Sequence, residues 1–160
     1  MKGKKRYTVS LLFNPDGSKV LLQKKDRTIF AGRLNGVGGK VEDEETPADG
    51  ALREILEETG TKKQHMQKFT WLGTLTLPEP CDTKYPDNYP EIWFFAAIVK
   101  ETVPKKPETE TEEIDWYEIQ PDNRPLTDLR TAGDGNLEYF ISRAGKTLFE
   151  SRVTYVQRIS

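Results

Sequence analysis

Glu54, Glu57 and Glu58 stand at positions i, i+3 and i+4, so a helix over this stretch carries three carboxylates on one face. Carboxylates that close repel each other unless a cation neutralises them. Their oxygens suit a hard divalent ion such as Mg²⁺ or Mn²⁺. An ion held this way offsets the charge of a polyanionic substrate and activates a water. Diphosphates fit, because Mg²⁺ is often shared with substrate phosphates. Just upstream, Gly36-Val37-Gly38-Gly39 permits a tight backbone course, so carbonyls there can approach the same ion. Arg53 precedes Glu57 by four residues and can pair with it. The competing reading is a solvated acidic face. That reading suits Glu42, Asp43 and Glu44 best, as a polar loop ahead of the helix.

The elements that must position these groups can be read from punctuation and periodicity. Thr46 is a good N-cap, Pro47 suits the first helical position, and Asp49 sits three after the cap. Gly60 is placed to end the helix in a left-handed conformation. Ala48, Ala51, Leu52, Ile55 and Leu56 form its apolar stripe. Tyr7 to Phe13 reads as a strand, followed by the turn Asn14-Pro15-Asp16-Gly17 and a second run, Val20 to Leu22, as in a hairpin. Gly32, Gly36, Gly38 and Gly39 mark a loop, with short extended pieces at Val37 and Val41. Phe69–Leu77 and Ile92–Val99 are core strands by composition. Trp71, Trp93, Phe94 and Phe95 within them are read as core packing ahead of base stacking. The stretch from Ile114 to Ile119 is a short strand, Asn136 to Ala144 a second helix, and Val153 to Val156 a possible last strand. The pattern is a mixed sheet with two helices, an α/β or α+β layered domain.

Bulk composition narrows the partners. The chain has 160 residues, enough for one domain with a real core, and no linker or repeat divides it. Charged residues make up 31% and the net charge is -2, which gives no electrostatic case for a nucleic-acid polymer or a membrane. Cys81 is the single cysteine, so a reducing, cytoplasmic setting is expected. No stretch has the length of a transmembrane span. His65 reads as a surface residue.

The residues from Gly39 to Thr61 resemble the Nudix hydrolases. That family's signature runs Gly, five residues, Glu, seven residues, then Arg-Glu-aliphatic-any-Glu-Glu-any-Gly-aliphatic. Gly39, Glu45, Arg53, Glu54, Ile55, Glu57, Glu58 and Gly60 fill it at the right spacings. Seven of these positions demand one residue type, so chance agreement at a given start is on the order of 10⁻⁸. Thr61 departs, standing where the family has an aliphatic residue. The resemblance implies an α/β/α sandwich around a mixed sheet. It also implies hydrolysis of a nucleoside diphosphate linked to another group, assisted by Mg²⁺ or Mn²⁺. By position, Glu54, Glu57 and Glu58 would be metal ligands, joined by a carbonyl of Gly38 or Gly39. Arg53 would hold the glutamates and Glu45 would support the loop–helix geometry. A later acid often joins the site in this family. Glu110, Glu112 and Glu113 are the candidates here, with Glu112 favoured by its offset from Trp116.

A second resemblance narrows the substrate. Tyr7-Thr8, Lys24-Lys25, Arg27 and the run from Gly32 to Val41 are similar to the MutT-type branch, the 8-oxo-dGTP diphosphatases. By position Asn35 would read the base edge, with Thr8 and Lys25 lining the pocket and Asp134 supplying an acid. Asn before Gly is also a common turn former. The branch's late-loop Trp and second acid are missing, Gly135 standing in the acid's place. Phe30 lies one position from the expected aromatic, where Ile29 stands. The expected reaction is therefore release of a nucleoside monophosphate and pyrophosphate from purine triphosphates, oxidised ones such as 8-oxo-dGTP among them. Hydrolysis of ADP-ribose or an RNA cap is the alternative. A non-catalytic nucleotide-binding module is the other class, disfavoured because no signature glutamate is missing.

Overall fold

A computed structural model describes residues 5–24, 32–77, 89–101, 113–133 and 135–149. The strands are β1 (Arg6–Phe13), β2 (Lys19–Lys24), β3 (Leu34–Asn35), β4 (Gln67–Thr76), β5 (Glu91–Ile98) and β6 (Glu113–Glu118). The helices are α1 (Pro47–Thr59) and α2 (Asn136–Leu148). A 3₁₀ turn at Lys63–His65 links α1 to β4, and His65 is exposed there.

The sheet is mixed, in the order β3-β2-β1-β5-β4, with β6 also on β2. β1 runs parallel to β5 along its whole length and antiparallel to β2 only at its far end. β6 lines all of β2, so β1 and β3 share the other side of that strand. β1 and β2 therefore diverge, and the glycine stretch fills the gap. Ser10 exchanges backbone bonds with Val37 at 2.7 and 3.1 Å, and the Thr8 N–H donates to the Gly39 carbonyl at 2.9 Å. This close approach explains the glycines. A Cβ on Gly38 would lie 1.9 Å from the Thr8 carbonyl oxygen, a distance no side chain tolerates.

Strand alternation sends apolar side chains to both faces. Val9, Leu11, Phe13, Val20, Leu22 and Leu34 pack against α2 through Leu137, Phe140, Ile141, Ala144 and Leu148. Leu12, Leu21, Val37, Ala97 and Val99 pack under α1 around Ile55. The layers are helix, sheet, helix, as expected. The Thr46 hydroxyl accepts from the Asp49 N–H at 3.1 Å, and Gly60 has φ 74°. α1 thus begins and ends where the sequence places its signals.

Three readings shift. α2 continues to Leu148, past Ala144, because Leu148 extends the buried stripe across Gly145 and Thr147. Phe94 and Phe95 are core, but Trp71 is 55% exposed and lies against Trp93 at 5.8 Å. β4 is the sheet's edge strand, and α1 rests chiefly over β1 and β5. Leu56 is 46% exposed although it belongs to the apolar stripe of α1, since it lies on the flank away from Ile55. The possible strand at Val153 to Val156 lies outside the described residues.

Candidate functional site

Arg53 is the hub. Its Nη2 donates to Glu45 Oε1 at 2.7 Å and to the Lys40 carbonyl at 2.9 Å. Its Nε donates to Glu45 Oε2 at 3.1 Å. Its Nη1 reaches Glu54 Oε1 at 3.1 Å and Glu57 Oε2 at 3.3 Å. A planar fork of five N–H donors suits this many acceptors, and a lysine does not. The neighbouring carboxylates, Glu45 first, push the Arg53 pKa upward, so it stays a cation throughout. The Arg53 hydrogen bonds hold the Glu45 carboxyl below the usual carboxylate range. Glu45 Oε1 also accepts from the Glu42 N–H at 2.8 Å. Glu45 therefore ties the loop before α1 to the middle of the helix. Glu42, Asp43 and Glu44 are exposed.

The glycine stretch meets the helix at Gly39. A Cβ there would lie 2.4 Å from Glu54 Oε1, so only glycine lets this carboxylate settle against the backbone. The Gly39 and Val37 carbonyls both face β1, accepting from Thr8 and Ser10. Alternation in an extended chain turns the Gly38 carbonyl the other way, away from β1.

Glu58 is held from the sheet. The Gln23 Nε2 donates to Glu58 Oε2 at 2.9 Å. Sequence reading passed over Gln23. Its signal is a polar residue directly after the apolar run Val20–Leu22 and still within β2, where it is fully buried. The carboxylates are thus tied individually, Glu54 and Glu57 to Arg53 and Glu58 to Gln23. Among the described residues no three of His, Cys, Asp and Glu stand close enough together to hold one ion. The donor set still fits a hard divalent cation. It offers three carboxylates on adjoining helical turns, a glycine cradle that a Cβ would fill, and an outward carbonyl.

The expected substrate residues divide. Asn35 pairs with Gln23, is 7% exposed, and its Oδ1 accepts from the Gly36 N–H at 2.8 Å. Asn35 lies in β3 rather than in a turn, and with its Oδ1 engaged by Gly36 its Nδ2 amide group is what can address a ligand. Thr8 is 2% exposed, beneath the glycine stretch. Lys25, Asp134, Glu110 and Glu112 lie outside the described residues, while Glu113 is exposed at the start of β6. β6 nevertheless starts beside the site, since its second residue, Ile114, pairs with Gln23. Segment 130–132 also closes on β3. The Leu34 N–H donates to the Arg130 carbonyl and the Ala132 N–H to the Leu34 carbonyl, both at 2.8 Å. Thr61 is buried, its N–H bonded to the Thr59 hydroxyl at 3.1 Å, so the departure from an aliphatic residue is absorbed locally.

The NUDIX domain profile matches residues 4–128, most of the chain and all of the Arg53 array. The chain belongs to the Nudix family. The oxidized purine nucleoside triphosphate hydrolase of Mus musculus is 35% identical over 136 residues, which is 81% of this chain and 74% of that protein. The 8-oxo-dGTP diphosphatase of Escherichia coli K12 is 27% identical over 92 residues, 58% of this chain and 64% of that protein. Among solved structures, a MutT/nudix family protein from Enterococcus faecalis superposes with a TM-score of 0.69 at 18% identity. That match covers 94% of this chain and 64% of the other, and it speaks for the fold. As a Nudix hydrolase, the protein carries its signature on α1 and the glycine stretch, as the sequence reading expected. Divalent metal ions are general to this family. No helix among the described residues is long and apolar enough to cross a membrane.

Proposed function

We propose that this Nudix hydrolase is a Mg²⁺- or Mn²⁺-dependent nucleoside triphosphate pyrophosphohydrolase. It releases a nucleoside monophosphate and pyrophosphate, with oxidised purine nucleotides such as 8-oxo-dGTP as substrates. The observation that carries this reading is the Glu54 carboxylate seated on Gly39 within the array that Arg53 orders. The names of the mouse and bacterial relatives support the substrate class.

In this reading Glu54, Glu57, Glu58 and the Gly38 carbonyl hold the divalent ion, with Gly39 giving the room. Bound there, the ion would offset diphosphate charge and lower the pKa of a bound water. Arg53 keeps Glu54 and Glu57 on the side of α1 that faces the glycine stretch. Gln23 does the same for Glu58 from below. Glu112 is the proposed late acid, immediately ahead of β6, whose Ile114 pairs with Gln23. Thr8, Lys25, Asn35 and Asp134 are the proposed substrate contacts. Asn35 meets the base with its Nδ2 donor, because its Oδ1 is engaged by Gly36.

A panel of nucleotides tests the substrate class. With Mg²⁺ present, oxidised and ordinary purine triphosphates are expected to have higher kcat/KM than ADP-ribose or a capped dinucleotide. Faster turnover of the sugar-linked or capped diphosphates would overturn the triphosphate assignment.

A further inference from the structure

The sheet face that carries α1 extends past the helix toward β4. Trp93 and Phe95 share the side of β5 on which Ala97 and Val99 pack with Ile55, since strand side chains alternate. Trp71 of β4 pairs with Phe95, and its ring lies 5.8 Å from that of Trp93. Trp71 is nonetheless 55% exposed. Its Nε1 donates to the Thr74 hydroxyl at 3.2 Å, which fixes the indole, so covering it costs little side-chain entropy. The adjoining flank of α1 is apolar in its middle. Glu58 is tied to β2, and Leu56 lies about 160° round the helix from it, on the side of β5 and β4. Leu56 is 46% exposed there, and Leu52 is its neighbour one turn before.

Charge is divided between the two ends of this face. The Arg6 guanidinium donates to the Glu45 carbonyl at 3.2 Å, and Arg6 pairs with Glu91, so α1 and β5 start at the same end. Glu91 stands at that end, and so does Asp49, exposed two turns before Leu56 on the same flank of α1. Lys62 and Lys63 are exposed at the other end, where the 3₁₀ turn leads into β4. No Asp or Glu occurs between Gly60 and Leu77 to offset them.

Strand addition does not suit this edge. β4 has register irregularities at Gln67/Thr70 and Trp71/Gly73, and the Leu72 carbonyl accepts from the Arg143 Nε at 2.6 Å. Bulges and an occupied carbonyl blunt an edge strand. Side-chain packing remains. A face with an aromatic centre, an acidic end and a basic end complements itself when turned by 180°.

We infer that this face is where a second copy of the chain docks, in a twofold homodimer with Trp71 at its centre. Each acidic end, Asp49 and Glu91, lies on the Lys62–Lys63 end of the other copy. None of these side chains belongs to the Arg53 array, so the inference is independent of the nucleotide reading.

Sedimentation velocity over a concentration series tests it. Wild type is expected to be a monomer when dilute and to approach twice the monomer mass when concentrated. Wild type that stays monomeric to about 1 mM overturns the inference. Trp71→Ser is expected to weaken the dimer about 30-fold, the loss of a central anchor. An unchanged dimer constant overturns the inference. If the serine variant does not fold, Leu56→Ser is read the same way, with a loss of about 5-fold. The charge pattern is tested separately. Lys63→Glu is expected to weaken the dimer about 5-fold, and adding Asp49→Lys to restore it, because the two positions meet across the axis. A single variant with no loss, or a double variant no tighter than the single one, overturns the twofold arrangement.

Discussion

Glu57→Gln is expected to lower kcat about 10³-fold, equivalent to about 4 kcal/mol of barrier, while the protein unfolds at the wild-type urea midpoint. Both halves follow from where Glu57 lies. Its side chain is 56% exposed and its ion pair with Arg53 is at the surface, so losing the charge costs the fold within about 0.5 kcal/mol. Glutamine keeps the shape and one acceptor oxygen, so packing is not disturbed. What disappears is a third of the negative charge available to a divalent ion, together with a hard oxygen ligand. Steady-state kinetics at saturating Mg²⁺ and a urea titration read the two halves separately. Turnover within a few-fold of wild type would show that Glu57 belongs to a solvated face and not to the site.

Arg53→Ala is expected to damage both fold and activity. One guanidinium satisfies Glu45, Glu54, Glu57 and the Lys40 carbonyl. Its removal takes the cation from between the Glu45 and Glu54 side chains, which are 17% and 12% exposed. Breaking a buried pair costs about 3–5 kcal/mol, and the 29% exposure of Arg53 reduces that to about 2–3 kcal/mol. Turnover should fall about 10²-fold or more, because Glu54 loses the contact that holds it at Gly39. Arg53→Lys should recover little, since an ammonium cannot reach four acceptors as a planar fork does. Urea midpoints and kcat for both variants check this. A lysine variant with wild-type stability and rate would contradict the hub role.

The parts of the site that share one short segment were legible in the sequence. Thr46, Pro47 and Gly60 are local signals, and they delimit α1 to the residue. The spacing of Glu54, Glu57 and Glu58 needs only helical geometry. The pairing of Arg53 with Glu57 follows from the same turn. Groups whose partners are distant in the chain were not legible. Gln23 meets Glu58 across 35 positions, and its polar place beside an apolar run does not say which residue it meets. The sheet order depends on the parallel register of β1 with β5, a long-range pairing that no turn specifies. Trp71 shows the same limit from the other side. Its run reads as a buried strand, but strand position within the sheet decides exposure, and β4 is the edge. The glycines lie between these cases. Their clustering marks a tight course, but that Gly38 meets Thr8 and Gly39 meets Glu54 is tertiary information.

The most direct measurement is product analysis of one triphosphate, 8-oxo-dGTP, incubated with the purified protein and Mg²⁺ and separated by anion exchange. The account predicts the monophosphate and pyrophosphate in equal amounts, and no products once a chelator removes the ion. Orthophosphate and a nucleoside diphosphate, or turnover that survives chelation, would contradict it.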